Sequence, residues 1–352
     1  MRMSRIRIGV VGLNFGRHIV KELTEGPGKA WFELAAVCDL DREKAAGVAA
    51  AHGVKAFSSI DDLLADDGIP AIGLFTGPVG RAGLISRIVR AGRDVMTTKP
   101  FETDPAAAYR VLREAEGLGR VVHLNSPAPL WPPDLAAIQH WRREHDLGRP
   151  VACNLAVWVR YREEAKGDWY DDPAQCPVAP VFRLGIYLIN DMVRLLGEAE
   201  RVNVVSSRLF TGRPTADNGL LSLRFRSGAV GSVFASFCVE DGDIYRNSMV
   251  LNFERGTVYR NVGALRRTQE RGKMGLALVM GSNDGGSRVV AETTVSEGSG
   301  AYQWEAFARA VRGEKLADAV TKEEVVAGLR VLEAMREAEA GGGTVAVRAV
   351  SG

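Results

Sequence analysis

Ile6-Arg7-Ile8-Gly9-Val10-Val11-Gly12-Leu13-Asn14-Phe15-Gly16-Arg17 opens the legible pattern of this chain, and Val37-Cys38-Asp39-Leu40-Asp41 completes it. The first six residues read as a largely apolar strand, a glycine turn follows, and a helix pattern begins after Gly16. A dinucleotide-binding turn is written G-x-G-x-x-G between a strand and a helix. Its first glycine allows the tight turn and its second lets backbone approach a pyrophosphate. The pyrophosphate then rests on the amides and dipole of the helix N-terminus. Gly12 takes the first position here, Asn14 stands at the second, and Gly16 arrives one residue early. Asn tolerates left-handed backbone better than most residues, so Asn14 is expected to keep the turn. Asp39 lies 27 residues after Gly12, at the end of the next apolar run. An acid there holds the ribose hydroxyls. It also repels a 2′-phosphate, so NAD is favoured over NADP, with Arg42 able to offset this by pairing with a phosphate. Two other readings stay open on these residues alone. Asp39 or Asp41 could simply cap the helix that starts at Arg42, and a methyltransferase also carries a glycine loop followed by a second-strand acid.

Outward from this stretch, strand and helix patterns alternate. Strand-like runs occur at Ile6–Val11, Leu34–Cys38, Ala71–Phe75, Asp94–Met96 and Val121–Leu124. Ser59 with Asp62 has capping-box spacing. Asp104-Pro105 places an acceptor before a proline at the first helical position, and Gly117 and Gly119 close that helix. Such alternation predicts βαβ units and a parallel sheet. The second part differs. A helix over Asp134–His145 and a strand over Val151–Tyr161 precede another helix. Strands then crowd together at Arg201–Leu209, Leu220–Arg226, Ala229–Phe237, Ser248–Phe253 and Thr257–Asn261. Arg226-Ser227-Gly228-Ala229 is a hairpin signal between two of them. Helices over Tyr302–Arg312 and Lys322–Ala340 and a short strand at Thr344–Val347 end the chain. The fold class is therefore α/β. A doubly wound parallel sheet spans residues 1–126, with the C-terminal segment able to pack back on it. An α+β domain with an open, largely antiparallel sheet spans 127–352.

Composition is that of a globular chain: 352 residues, 46% hydrophobic and 25% charged. The net charge is +2, from 45 basic and 43 acidic residues, with no long basic run. Nucleic-acid binding is therefore not expected. No apolar run nears the ~20 residues of a membrane span, and no signal-peptide pattern precedes the first strand. A cytoplasmic location is expected. Cys38, Cys153, Cys176 and Cys238 are scattered without a CxxC, which suggests buried thiols and no metal site.

Lys99 ends the fifth strand run in Thr97-Thr98-Lys99-Pro100. Ligands of a parallel sheet gather at the carboxyl ends of its strands. Further on, Arg183, Tyr187, Asn190 and Arg194 fall within an arc of roughly 60° on one helix, among residues that are nearly all apolar. A buried helix must aim such a polar stripe at something polar.

Together these features resemble the Gfo/Idh/MocA oxidoreductases, the glucose–fructose oxidoreductase and inositol dehydrogenase family. The elements are the opening I-x-I-G-V-V-G-L loop, Val37-Cys38-Asp39-Leu40-Asp41, and Thr76-Gly77-Pro78 after the fourth strand. Gly92-Arg93-Asp94-Val95 leading to Lys99-Pro100, Gly148-Arg149-Pro150, Gly185 through Leu196-Gly197, and the terminal helix and strand complete the match. The resemblance implies a Rossmann domain, a nicotinamide cofactor held by Gly12, Leu13, Asn14, Phe15, Gly16, Asp39, Arg42, Thr76, Gly77, Thr98 and Lys99, and a second domain that binds substrate. Two departures stand out. The family's Glu before Lys-Pro is Thr98, and its D-x-G-x-H segment reads Arg183-Leu184-Gly185-Ile186-Tyr187. The run Gly185-Ile186-Tyr187-x-x-Asn190-x-x-Arg194 looks like the subgroup of glucose–fructose oxidoreductase and dihydrodiol dehydrogenase, in which the Tyr moves the proton.

The expected function is NAD(P)-dependent hydride transfer to or from a secondary alcohol of a sugar, sugar acid or polyol-like molecule. Tyr187 is the expected general acid/base, and Lys99 and Arg183 are expected to favour its phenolate. Asn190 is expected to orient substrate or Tyr187. Arg183 has no acid among its stripe neighbours, which points to an anionic substrate or to an acid of the Asp168–Asp172 loop. The alternatives are a dinucleotide-binding sensor without turnover and a redox-assisted eliminase or glycoside hydrolase. The open sheet predicts a homodimer or homotetramer.

Overall fold

Strands β1 (Ile6–Val11), β2 (Phe32–Cys38), β3 (Lys55–Phe57), β4 (Ala71–Leu74), β5 (Asp94–Thr97) and β6 (Val122–Leu124) pair in parallel in the order β3-β2-β1-β4-β5-β6. Helices α1 (Gly16–Thr24), α2 (Arg42–His52), α3 (Ile60–Leu64), α4 (Arg81–Arg90) and α5 (Pro105–Gly117) make the crossovers. The order reverses between β1 and β4, the switch point at which ligands of such sheets bind. Ile8, Val10, Phe32, Val37 and Ala71 lose all exposure in this layer, which is why the strands read as apolar runs. The computed structural model describes residues 4–161, 163–242, 245, 247–263, 273–283, 285–296, 298 and 300–349.

Local chemistry sets the helix starts. Asp104 accepts from the amides of Ala106 (2.8 Å) and Ala107 (3.1 Å), and Ser59 accepts from Asp61 N at 3.1 Å. The pair after β2 divides its labour. Asp41 caps α2 by accepting from Lys44 N at 3.0 Å, which leaves Asp39 for another task.

The chain divides into two compact units. The first unit extends to Leu130 and regains Tyr302–Lys322, which contains α8 (Trp304–Val311). Trp304 and Phe307 pack on Phe32 with ring centroids 5.8 and 5.1 Å apart, and Gln303 exchanges two hydrogen bonds with the backbone of Leu130. The helix pattern shows that α8 has an apolar face, but not which sheet receives it.

The second unit comprises Trp131–Ala301 with residues 323–349. Its strands are β7 (Pro150–Trp158), β8 (Ala199–Ser207), β9 (Asn218–Phe225), β10 (Val230–Ser236), β11 (Asn247–Phe253), β12 (Gly256–Arg260), β13 (Lys273–Gly281), β14 (Ser287–Ser296) and β15 (Val345–Ala346). They form one sheet in the order β14-β13-β12-β11-β7-β10-β9-β8-β15. Every pairing is antiparallel except β7 with β10. Helices α6 (Pro133–Glu144), α7 (Ile186–Leu196) and α9 (Lys322–Gly341) share one core with the strands, including Leu135, Ile189, Met192, Leu221, Val233, Leu251 and Met335. β13 and β14 were not expected from the sequence. β14 is an edge strand with no fully buried residue; only Val290, Ala291 and Val295 pack partly on the core, which leaves a weak alternation to read.

Candidate active site

In the first unit the glycine turn wraps the end of β1. Gly12 has φ +85°, and a Cβ there would lie 2.9 Å from the backbone C and O of Phe75, so only glycine fits. Asn14 is not among the described residues of positive φ, so the left-handed turn sits on Gly12 and Asn14 serves through its side chain. Its Oδ1 accepts from Lys44 Nζ at 3.1 Å. Asp39 ties the turn together: its Oδ2 accepts from Leu13 N at 2.8 Å and its Oδ1 from Asp41 N at 3.0 Å. Lys44 Nζ stands 3.4 Å from the same Oδ1. Burial alone would raise this carboxyl, but the two amides and the ammonium hold it below the usual range. The cation at Asp39 is therefore Lys44. Arg42, expected to pair with a phosphate of the cofactor, is exposed at the first position of α2.

Helix α1 has no side-chain cap and no acid in its first turn. In contrast, α2 and α5 are capped by Asp41 and Asp104, and Glu102 serves α4: its Oε2 accepts from Ala82 N at 2.8 Å and its Oε1 from Gly80 N at 3.3 Å. A glycine-only turn, a second-strand carboxylate and a helix start left without an acid fit a dinucleotide. Gly12, Leu13, Asn14, Phe15 and Gly16 would hold its pyrophosphate, and Asp39 its ribose. Thr76 and Gly77 follow β4, and Thr98 and Lys99 follow β5. Thr98 Oγ1 donates to Asn125 Oδ1 at 3.4 Å, and Lys99 is half-buried.

In the second unit, residues Val181–Gly185 form a π-helical turn that leads into α7. A wider turn breaks the 100° step on which the four-residue stripe was drawn, and Arg183 leaves it. Its guanidinium meets Glu163, with Nη1 2.7 Å and Nη2 3.4 Å from the carboxylate oxygens. It lies over the rings of Tyr161 (4.7 Å), Tyr170 (4.7 Å) and Phe237 (5.1 Å). Arg213 joins Glu163 (3.1 Å) to Asp171 (2.9 Å). Burial raises the Glu163 carboxyl, and the two arginines more than reverse this, so it is held below the usual range. The acid expected for Arg183 is thus Glu163, twenty residues upstream, and Asp171 takes Arg213 instead. Arg183 is not a cation awaiting a ligand.

Tyr187 is half-buried, and a Cβ at Gly300 would fall 2.7 Å from its Cε1, so the ring is backed by that glycine. Asn190 is 6% exposed, and a Cβ at Gly328 would overlap its Oδ1. Its side chain lies in the seam between α7 and α9. Arg194 stacks 4.2 Å over the Trp131 ring. One constellation was missed: fully buried Arg260 pairs with Asp134 at 2.6 Å and Asp191 at 3.0 Å, tying β12 to α6 and α7. The available signal was Asp191, an acid on an otherwise apolar helix.

Residues 6–126 match the oxidoreductase family's NAD-binding Rossmann fold, and residues 135–259 match the Gfo/Idh/MocA C-terminal domain. The chain belongs to the Gfo/Idh/MocA oxidoreductase family. Among its relatives, a dehydrogenase, aclE, of Aspergillus oryzae is 28% identical over 220 residues, 59% of each chain. Inositol 2-dehydrogenase of Rubrobacter xylanophilus is 28% identical over 150 residues, 42% of each chain. These alignments span less than two thirds of either relative. The aldose–aldose oxidoreductase of Caulobacter crescentus shares the fold, with TM-score 0.74 and 19% identity over 97% of this chain and all of that one. Family membership removes the methyltransferase reading, and the first unit is the family's NAD-binding domain.

Proposed function

We propose that this protein is an NAD-dependent oxidoreductase acting on a secondary alcohol of a sugar, sugar acid or polyol-like molecule. The observation that carries the reading is the Gly12–Leu13–Asp39 arrangement, in which a ribose-type carboxylate is hydrogen-bonded into a glycine-only turn. NAD, when bound, accepts or returns the hydride. Asp39 orients the ribose, and Lys44 partly neutralises it. Tyr187 exchanges a proton with the substrate hydroxyl, and Lys99 donates a hydrogen bond to the substrate oxygen. Asn190 holds α7, and with it Tyr187, against α9. Arg183 and Glu163 keep the segment around Tyr161 and Tyr170 in place. With Glu163 paired to Arg183, a preference for acidic substrates no longer follows from an uncompensated cation.

We also propose a cytoplasmic homo-oligomer. No described helix is long and apolar enough to cross a membrane. The sheet face opposite the helices leaves Val205 and Leu220, paired in register, 68% and 43% exposed. The test is a screen of cofactor reduction across neutral sugars, inositols, sugar acids and aromatic diols. Net reduction with one of these classes supports the reading. NADH binding without reduction supports the sensor, and new products without net cofactor change support a redox-assisted eliminase or hydrolase.

A further inference from the structure

We infer that Arg81 is a positioning residue for Lys99, a reading that rests on the role proposed above for Lys99. Arg81 is the first residue of α4, yet its side chain turns beneath the ends of two strands and is 2% exposed. Its Nη1 donates to Thr98 O at 2.8 Å and to Pro100 O at 2.9 Å, and its Nη2 donates to Thr76 O. Thr98 and Pro100 flank Lys99, and Thr76 follows β4. One planar fork therefore fixes the backbone on both sides of Lys99 and joins it to the neighbouring strand end where the dinucleotide is expected.

The choice of side chain has a physical reason. A guanidinium presents five donors in a rigid plane, whereas an ammonium is a single point that cannot span three carbonyls on two strand ends. Burying a cation is costly unless its donors are matched, and an apolar residue would pack this position with less penalty. Capping of α4 does not explain the arginine, because Glu102 accepts from the amides of Gly80 and Ala82. The two adjacent tasks are thus separate: Glu102 secures the helix, and Arg81 secures the strand ends. Releasing the carbonyls of residues 98 and 100 frees the point from which the Lys99 side chain departs. Releasing that of Thr76 loosens the loop expected to contact the cofactor.

The test compares Arg81→Met, Arg81→Lys, Glu102→Gln and Lys99→Met with wild type by NADH fluorescence titration, kcat, KM, pH–rate profile and melting temperature. Arg81→Met is expected to lower kcat about 10²-fold, the scale of a small misplacement of a reacting group. It should also weaken NADH binding, leave the alcohol KM little changed, and displace the limb of the pH profile. Arg81→Lys, which retains the charge and one donor, should recover part of kcat, and it carries the test if Arg81→Met does not fold. Glu102→Gln should lower the melting temperature while keeping the wild-type kcat and pH profile. The inference is overturned by a folded Arg81 variant with wild-type kcat, NADH affinity and pH profile, or by an equal kcat loss in Glu102→Gln. Full turnover in Lys99→Met would refute the role of Lys99 itself. Lost turnover there beside wild-type turnover in Arg81→Met would refute the inference about Arg81 alone.

Discussion

Two carboxylates carry most of the chemistry that can be checked one side chain at a time. In the proposed function Asp39 holds the ribose through its geometry and repels a 2′-phosphate through its charge. Asp39→Ala is therefore expected to weaken NADH about ten-fold, ~1.4 kcal/mol, while NADPH affinity holds or improves; paired fluorescence titrations measure both. Wild-type protein that binds NADPH more tightly than NADH would mean that Lys44 outweighs Asp39. Glu163 is the second. Removing it leaves Arg183 and Arg213 short of an anion, so Glu163→Ala is expected to cost about 1–3 kcal/mol, the cost of an orphaned partner discounted for the partial exposure of this pair. Its folded carboxyl lies below the unfolded value of ~4.3. The stabilisation is thus complete above about pH 4.3 and is lost as pH falls through the folded pKa, so the two melting curves should converge in acid. Asp39 was legible because it sits at a fixed place after a strand. The partner of Arg183 was not, because Glu163 lies in an irregular segment that no periodicity locates.

Elements show the same contrast. The strands of the first unit match their sequence pattern to within two residues, except the three-residue β3, which is too short to show a period. The π-helical turn at Val181–Gly185 was invisible because Val-Phe-Arg-Leu-Gly obeys no rule that separates a wide turn from a normal one. That turn is what removed Arg183 from the stripe shared by Tyr187, Asn190 and Arg194. Helix α8 was found, and its pattern left open which unit receives it. It covers β6, where His123 is 1% exposed with its ring 5.1 Å from that of Phe307. Burial pushes this imidazole down to about 3. The unfolded chain takes up a proton near pH 6.5 and the folded one does not. Stability of the first unit should hold above that pH and fall progressively below it. His123→Leu should flatten the acid limb of a thermal-denaturation series, and an unchanged limb would show that other groups set it. Phe307→Ala should cost about 3–5 kcal/mol, as large-to-small changes in cores do.

At the scale of the whole molecule, fold class followed from composition and alternation, and the cofactor from the family resemblance that the turn, the second-strand acid and the later motifs carry together. The parallel pairing of β7 with β10 in the otherwise antiparallel second sheet did not, since pairing partners of distant strands leave no local trace. The exposed Val205–Leu220 row predicts that Leu220→Glu shifts the protein to a smaller species in light-scattering chromatography with its fold intact; an unchanged mass would place the interface elsewhere. The central claim is that the chain moves a hydride to NAD with Tyr187 handling the proton. The most direct measurement is the initial rate of NADH formation on the best alcohol substrate for wild type and Tyr187→Phe, with NADH affinity determined alongside. The expected result is a rate loss of about 10²-fold or more, the size of a general acid/base contribution, at unchanged NADH affinity. A Tyr187→Phe protein that reduces NAD at the wild-type rate would contradict the account.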